Sequence, residues 1–226
     1  MQIFVETERL VLRRFTEADA DNLFELDSDP EVMRFISGGA ATPRDVIESD
    51  ILPAFLRYYD RFAGYGFWAA IEKVTGEFVG WFHFRPPPGG APWEAELGYR
   101  LRRQAWGNGY ATEGARALIH KGFTDHNVQR VVASTLIVHT ASRRVMEKVG
   151  LELVRTFCQA PPQPIFGTEA PTVVYALDRA DWERRNANPS GSISHLECMA
   201  QLVGHDLVQG RHAAGCPGRV GGHLAQ

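Results

Sequence analysis

The chain has 226 residues, 44% of them hydrophobic and 23% charged, which is enough to bury a sizeable core in one domain with an extension. A net charge of −3 gives no general attraction to nucleic acid or to an anionic membrane surface, so neither is expected as a partner. Three irregularly spaced cysteines argue against a disulfide framework or zinc ribbon, and no apolar run approaches about 18 residues, so a soluble chain in a reducing cytoplasm is expected.

Residues 9–15 are β-branched or apolar enough for a strand, and Thr16 can cap a helix running through Leu23, Phe24 and Leu26 until Asp29-Pro30 ends it. A second helix is expected from Thr42, as N-cap, with Pro43 in its first turn and Val46, Ile47, Ile51, Phe55 and Tyr59 on one side. Pro53 should kink or divide it. Residues 67–71 and 78–84 read as a hairpin across Thr75-Gly76, and the prolines and glycines of 85–90 as a loop. A strand through Glu96 to Leu101 follows, and then a helix with Ala111, Ala115, Leu118, Ile119 and Phe123 on one face. Gly114 and Gly122 weaken that helix by about 1 kcal/mol each relative to alanine, which close packing would offset.

Residues 130–138 lack polar alternation and suit a strand buried on both faces. A helix over about 141–149, closed by Gly150 in a left-handed turn, precedes a last strand pair at 151–157 and 172–177. The result is an α/β domain with a mixed sheet, expected over residues 1–185. From 186 to 226 the periodic apolar pattern fades into Gly and His, as in a disordered tail. His195, Cys198, His205, His212, Cys216 and His223 in that tail have a poor spacing for zinc, so no metal is expected.

The chemistry concentrates at residues 104–112: Gln104, Ala105, Trp106, Gly107, Asn108, Gly109, Tyr110, Ala111 and Thr112, between the strand and the helix. Glycines at 107 and 109 remove Cβ atoms that would keep a ligand off the main chain, and the helix behind them adds its positive end, so the junction is an anion cradle. It matches neither the Gly-x-x-x-x-Gly-Lys-Ser/Thr phosphate loop nor the three-glycine dinucleotide fingerprint. The pattern Gln/Arg-x-x-Gly-x-Gly/Ala, filled by Gln104, Gly107 and Gly109, resembles the pyrophosphate loop of the GNAT superfamily of N-acetyltransferases. Together with residues 96–101 and 141–151 it looks like the branch containing the ribosomal-protein N-terminal acetyltransferases, over about residues 5–184.

The resemblance implies the GNAT fold, a central mixed twisted sheet flanked by helices with a splayed strand pair forming the acetyl-CoA slot. It implies acetyl-CoA as donor, backbone contacts from Tyr99 and Leu101 to its pantetheine arm, and residues 104–112 at its pyrophosphate. It also implies a primary amine as acceptor, attacked directly without a covalent enzyme intermediate. Cys158 has no histidine partner in the sequence and is read as a small side chain rather than a nucleophile. Glu94 and Glu96 share one strand face by the two-residue period, and either can take the amine proton. Glu96 fits the family position, and neighbouring carboxylates would raise each other's pKa.

Ser142 reads as a helix-capping or first-turn serine, and its family position as the residue that protonates the departing thiolate. His139 stands where the branch has a coenzyme A-contacting asparagine. Arg143 and Arg144 face either phosphates or solvent, and Arg100, Arg102 and Arg103 form a basic patch open to phosphates. Phe35, Trp68 and Trp93 are aromatic candidates for the acceptor pocket. A protein N-terminus or a small-molecule amine fits as acceptor, and a homodimer is compatible with the pattern. A coenzyme A-binding regulatory module without turnover is the competing function.

Overall fold

Among the described residues eight strands form one sheet: β1 (Ile3–Glu6), β2 (Leu10–Arg14), β3 (Gly66–Glu72), β4 (Phe78–Arg85), β5 (Glu94–Leu101), β6 (Arg130–Leu136), β7 (Glu152–Phe157) and β8 (Thr172–Asp178). Their order is β1-β2-β3-β4-β5-β6-β8-β7, antiparallel throughout except between β5 and β6. The computed structural model describes residues 2–158 and 170–187, and Met1–Glu183 make one compact unit. Cysteines 198 and 216, and the tail histidines, lie outside the described residues.

Helices cover both faces. On one face α1 (Ala20–Ser28), α2 (Pro30–Ser37), α3 (Arg44–Val46) and α4 (Leu52–Arg61) surround a core of Phe15, Leu23, Leu26, Val32, Ile47, Phe55 and Trp81. On the other, α5 (Tyr110–Asp125) and α6 (Thr140–Lys148) bury Leu118, Ile119, Phe123 and Met146 against Phe82, Phe84, Leu97, Val131 and Tyr175. A further helix, α7 (Arg179–Ala187), follows β8 directly. Each large apolar side chain withdrawn from water in this way is worth roughly 1.5–3 kcal/mol. The expected glycine packing on α5 is present: a Cβ on Gly114 would lie 2.4 Å from Phe82 Cζ, and one on Gly122 would lie 2.4 Å from Phe84 Cζ.

Several elements differ from expectation for local reasons. Strand β1 was not anticipated; it is a four-residue edge strand, half exposed, with little alternation to reveal it. Asp29-Pro30 ends α1 but also opens α2, because the Asp29 carboxylate accepts from Glu31 N–H at 2.9 Å and Pro30 fits the first turn. The N-cap of α3 is Pro43 rather than Thr42, whose hydroxyl donates to Asp27 instead, at 3.0 Å. Pro53 divides its helix as expected, through a π-helical turn at Ile47–Ile51. Strand β6 stops at Leu136 and is not buried on both faces: Val131 and Ala133 are enclosed, Ser134 is exposed, and Val138 beyond its end is half exposed. No residue of β6 belongs to the core under the helices of the far face.

Candidate active site

The register between β5 and β6 runs for only three pairs, Glu94↔Arg130, Ala95↔Val131 and Glu96↔Val132. Both strands continue, β5 to Leu101 and β6 to Leu136, while β4 stays paired to β5 as far as Leu101 and β8 to β6 as far as Leu136. Beyond Glu96 the two strands therefore part, leaving a slot in the middle of the sheet.

The loop leaving β5 lies beside that slot. Gly107 and Gly109 have φ of 79° and 82°, the left-handed region that glycine enters at no steric cost. A Cβ on Gly107 would meet nothing within 4 Å, so the space in front of it is open. Gly109 is the N-cap of α5, with no side chain capping the helix. The first helical bond is Glu113 N–H to Gly109 O, so the N–H groups of Tyr110, Ala111 and Thr112 precede the ladder and remain for a ligand. A cavity of about 750 Å³ opens here, bordered by Gly109 and Thr112, with Arg116 and Lys148 as cations, Glu6 and Glu8 as anions, and Arg9 paired to Glu113. Left-handed glycines and an uncapped helix start, with backbone N–H groups free of the helical ladder, fit a diphosphate.

Side chains of the same loop turn elsewhere. Leu101 and Ala105 are buried in the core, so only their backbones can reach a ligand, and Leu101 O already accepts from Trp106 Nε1 at 2.9 Å. The Tyr110 ring is buried with its hydroxyl on Glu72, while Asn108 Nδ2 donates to Gln104 O at 3.3 Å. Arg100, Arg102 and Arg103, expected as an open basic patch, are paired with Asp27, Glu25 and Asp29. Arg143 donates to the Tyr175 hydroxyl and to Ile137 O, which turns it toward the protein.

Of the two helix-start roles open to Ser142, the first-turn one holds: it is the third residue of α6, and the N-cap is His139. Its carbonyl accepts from the Tyr99 hydroxyl at 3.0 Å, and its own hydroxyl lies 3.2 Å from the same oxygen. Burial pushes the Tyr99 phenol up to about 12, with the Ser142 hydrogen bond opposing, so the phenol keeps its proton near neutrality. The side chain of Tyr99 thus bridges the slot's two flanks, which a backbone role alone does not convey. The His139 ring stacks on Phe35, centroids 4.1 Å apart, and burial lowers its pKa, which keeps the imidazole neutral.

The face of β5 opposite α5 carries Glu94 and Glu96, as the two-residue period requires. Glu96 Oε2 is buried, 2.8 Å from Arg85 Nη2 and 3.7 Å from His83 Nε2, and neither approach has hydrogen-bond geometry. Glu94 faces Arg130 at 3.7 Å. The immediate companions of both carboxylates are thus cations, in place of the mutual carboxylate effect expected. Burial, followed by the charges of Arg85 and Arg100, lowers the His83 pKa to about 3, so it is neutral at physiological pH. His83 has room because it pairs with Gly98, where a Cβ would lie 2.3 Å from the imidazole Cε1.

Sequence reading missed His83 and Arg85. The signal available was a histidine and an arginine two apart on a strand, but their partner could be found only from the β4–β5 register. Of the aromatic candidates, Phe35 lies against His139, Trp93 is half exposed, and Trp68 is core, stacked on Phe4 at 3.7 Å. Cys158 is exposed at the end of β7. Among the described residues no His, Cys, Asp or Glu cluster could hold a metal, and no helix is long and apolar enough to cross a membrane.

A mixed sheet that splays beside a glycine cradle at a helix start defines an acyl-coenzyme A-binding α/β protein. The sequence profile of the acetyltransferase (GNAT) domain matches residues 9–152. The chain is 31% identical over 189 residues, 80% of its length and 78% of the relative's, to FsC-acetyl coenzyme A-N(2)-transacetylase of Aspergillus fumigatus. It superposes on the crystal structure of a GNAT-family acetyltransferase from Bacillus anthracis with a TM-score of 0.64 at 25% identity, covering 80% of this chain and 99% of that one. RimL, a ribosomal L7/L12 alpha-N-protein acetyltransferase in complex with coenzyme A, superposes with a TM-score of 0.66 over 78% of this chain and 98% of its own. At 19% identity that likeness concerns the fold alone. The chain belongs to the GNAT acetyltransferase family and is an acetyl-CoA-dependent N-acetyltransferase acting on an amine.

Proposed function

We propose that the acceptor is a primary amine of modest basicity, a peptide or protein α-amine or a small molecule carrying a comparable amine, and that Glu96 receives its proton. The observation that carries this reading is the buried Glu96 Oε2, ion-paired to Arg85 but accepting no hydrogen bond, at the last β5–β6 pair before the strands part. Residues 104–112 hold the donor through backbone N–H groups, Tyr99 and Leu101 offer β5 main chain, and His139 lies at the start of α6 near Ser142. Acetyl-CoA supplies an activated acyl carbon there. The amine forms the new N–C bond as the C–S bond breaks, Glu96 accepts the amine proton directly or through one water, and the Ser142 hydroxyl gives a proton to the thiolate. A proton from solvent then restores Ser142, and the Tyr99 hydroxyl, 3.2 Å from Ser142 Oγ, orients that group while keeping its own proton.

An acceptor with pKa about 8 is roughly one-quarter neutral at pH 7.5, whereas a lysine at about 10.4 is roughly 0.1% neutral. A carboxylate already facing a guanidinium is suited to the first kind of amine. Two further observations support the reading: the motif order resembles the ribosomal-protein N-terminal branch, and the Aspergillus fumigatus relative is named for transfer to N(2). The test is release of coenzyme A thiol with free-N-terminus peptides, N-blocked lysine peptides, amino acids, polyamines and aminoglycosides. Release should depend on an α-type amine. Preference for the lysine side chain contradicts the acceptor class, and donor binding without release for any amine supports a non-catalytic module.

A further inference from the structure

The β1–β2 turn lies far from the phosphate loop in sequence but is bonded to it. Glu113, in the first turn of α5, is mostly buried, and one of its carboxylate oxygens accepts from the Thr7 hydroxyl at 2.6 Å and from Arg9 N–H at 2.8 Å. The other oxygen faces the Arg9 guanidinium, at 2.7 Å from Nε and 2.6 Å from Nη2. Arg9 continues across the Tyr110 ring, 4.6 Å from its centroid, and donates from Nη1 to Asn108 O at 2.9 Å. Burial opposes the charge on Glu113, but the Thr7 and Arg9 donors outweigh it and hold the carboxyl below the usual range.

Asn108 sits between two glycines in left-handed conformations, the linkage with the greatest backbone freedom in the loop. A donor fixed on its carbonyl removes that freedom before a ligand arrives, and ordering that need not occur on binding appears as affinity. A surface ion pair would contribute little, but this carboxylate takes four donors and has lost most of its water.

We propose that Thr7, Arg9 and Glu113 form a latch that pins the β1–β2 turn to α5 and preorganises the loop around Asn108 for the coenzyme A diphosphate. These are positioning residues, and the inference rests on residues 104–112 being the donor site. The same residues border the 750 Å³ cavity, so the latch also forms one of its walls.

The test measures acetyl-CoA affinity by calorimetry for Arg9→Ala, Glu113→Ala and the double variant, with kcat at saturating donor and hydrogen exchange at the amides of residues 107–112. Each single variant should bind roughly 10- to 100-fold more weakly, as loss of a charge-assisted hydrogen bond implies. The double variant should lose no more than the worse single one, kcat should change little, and exchange in the loop should quicken without ligand. Thr7→Val, which removes one hydroxyl, should lose severalfold and covers the case in which an alanine variant does not fold. Normal affinity in folded variants, or losses that multiply in the double variant, overturns the latch. Gly107→Val separates the two ideas. If it abolishes binding while the latch variants bind normally, the loop assignment stands and the latch falls; if it binds normally, the loop assignment fails and the latch with it.

Discussion

Gly114→Ala sets helix propensity directly against packing. Within α5 the exchange of glycine for alanine should add about 1 kcal/mol of stability from backbone entropy. Here the new methyl would lie 2.4 Å from Phe82 Cζ and 2.8 Å from both Cε atoms, and Phe82 is wholly buried. A relaxed carbon contact is about 3.5–4.0 Å, so ring or helix must shift by more than 1 Å in a close-packed interior. Overpacking of this kind costs typically about 1–3 kcal/mol, net of what the backbone gains. The helix also carries the phosphate loop at its N-terminus, so a displaced α5 should weaken acetyl-CoA binding. Urea denaturation gives the stability, and the ligand-induced rise in Tm gives the second effect. Adding Phe82→Leu should recover part of the loss by making room. A Gly114→Ala protein about 1 kcal/mol more stable than the parent would refute the packing argument.

Two other outcomes follow from the same geometry. The folded-state pKa of His83, about 3, lies below its unfolded value of about 6.5, so its contribution to stability is complete above pH 6.5 and is lost as pH falls toward 3. His83→Gln should therefore reduce the stability difference between pH 7 and pH 4 by about 3 kcal/mol, measured by denaturant titration at both; an unchanged difference would place the acid sensitivity elsewhere. A chain ending at Ala187 is expected to unfold cooperatively and still bind acetyl-CoA; aggregation or loss of cooperativity would show that the domain extends beyond the expected boundary.

What could be read in the sequence was what neighbouring residues determine. Gly107 and Gly109 announced an open main chain before a helix, Gly114 and Gly122 announced close approach, and Gly150 announced the left-handed turn after α6, with φ of 91°. Pairing across the sheet was hidden. The β4–β5 register depends on a connection of eight residues, so neither the contact of His83 with Glu96 nor the reason for Gly98 was visible. Arg9 and Glu113 are 104 positions apart, and nothing local joins them. The basic triplet at 100, 102 and 103 looked available only because Glu25, Asp27 and Asp29 lie 73 to 77 positions away, in α1 and at its end. The place of Ser142 in the first turn of a helix was legible, whereas the Tyr99 hydroxyl that its own hydroxyl faces was not.

The central claim, proton removal by Glu96 beside the slot, is tested most directly by Glu96→Gln. The variant keeps the side chain's shape and should keep acetyl-CoA affinity, while turnover with an α-amine acceptor falls by about 10²- to 10⁴-fold, the usual worth of general base catalysis. The measurement is kcat by thiol release across pH, alongside acetyl-CoA binding, and the acidic limb of the profile should disappear with the carboxylate. Normal turnover with an unchanged acidic limb would contradict the account and move the proton to Glu94 or to solvent.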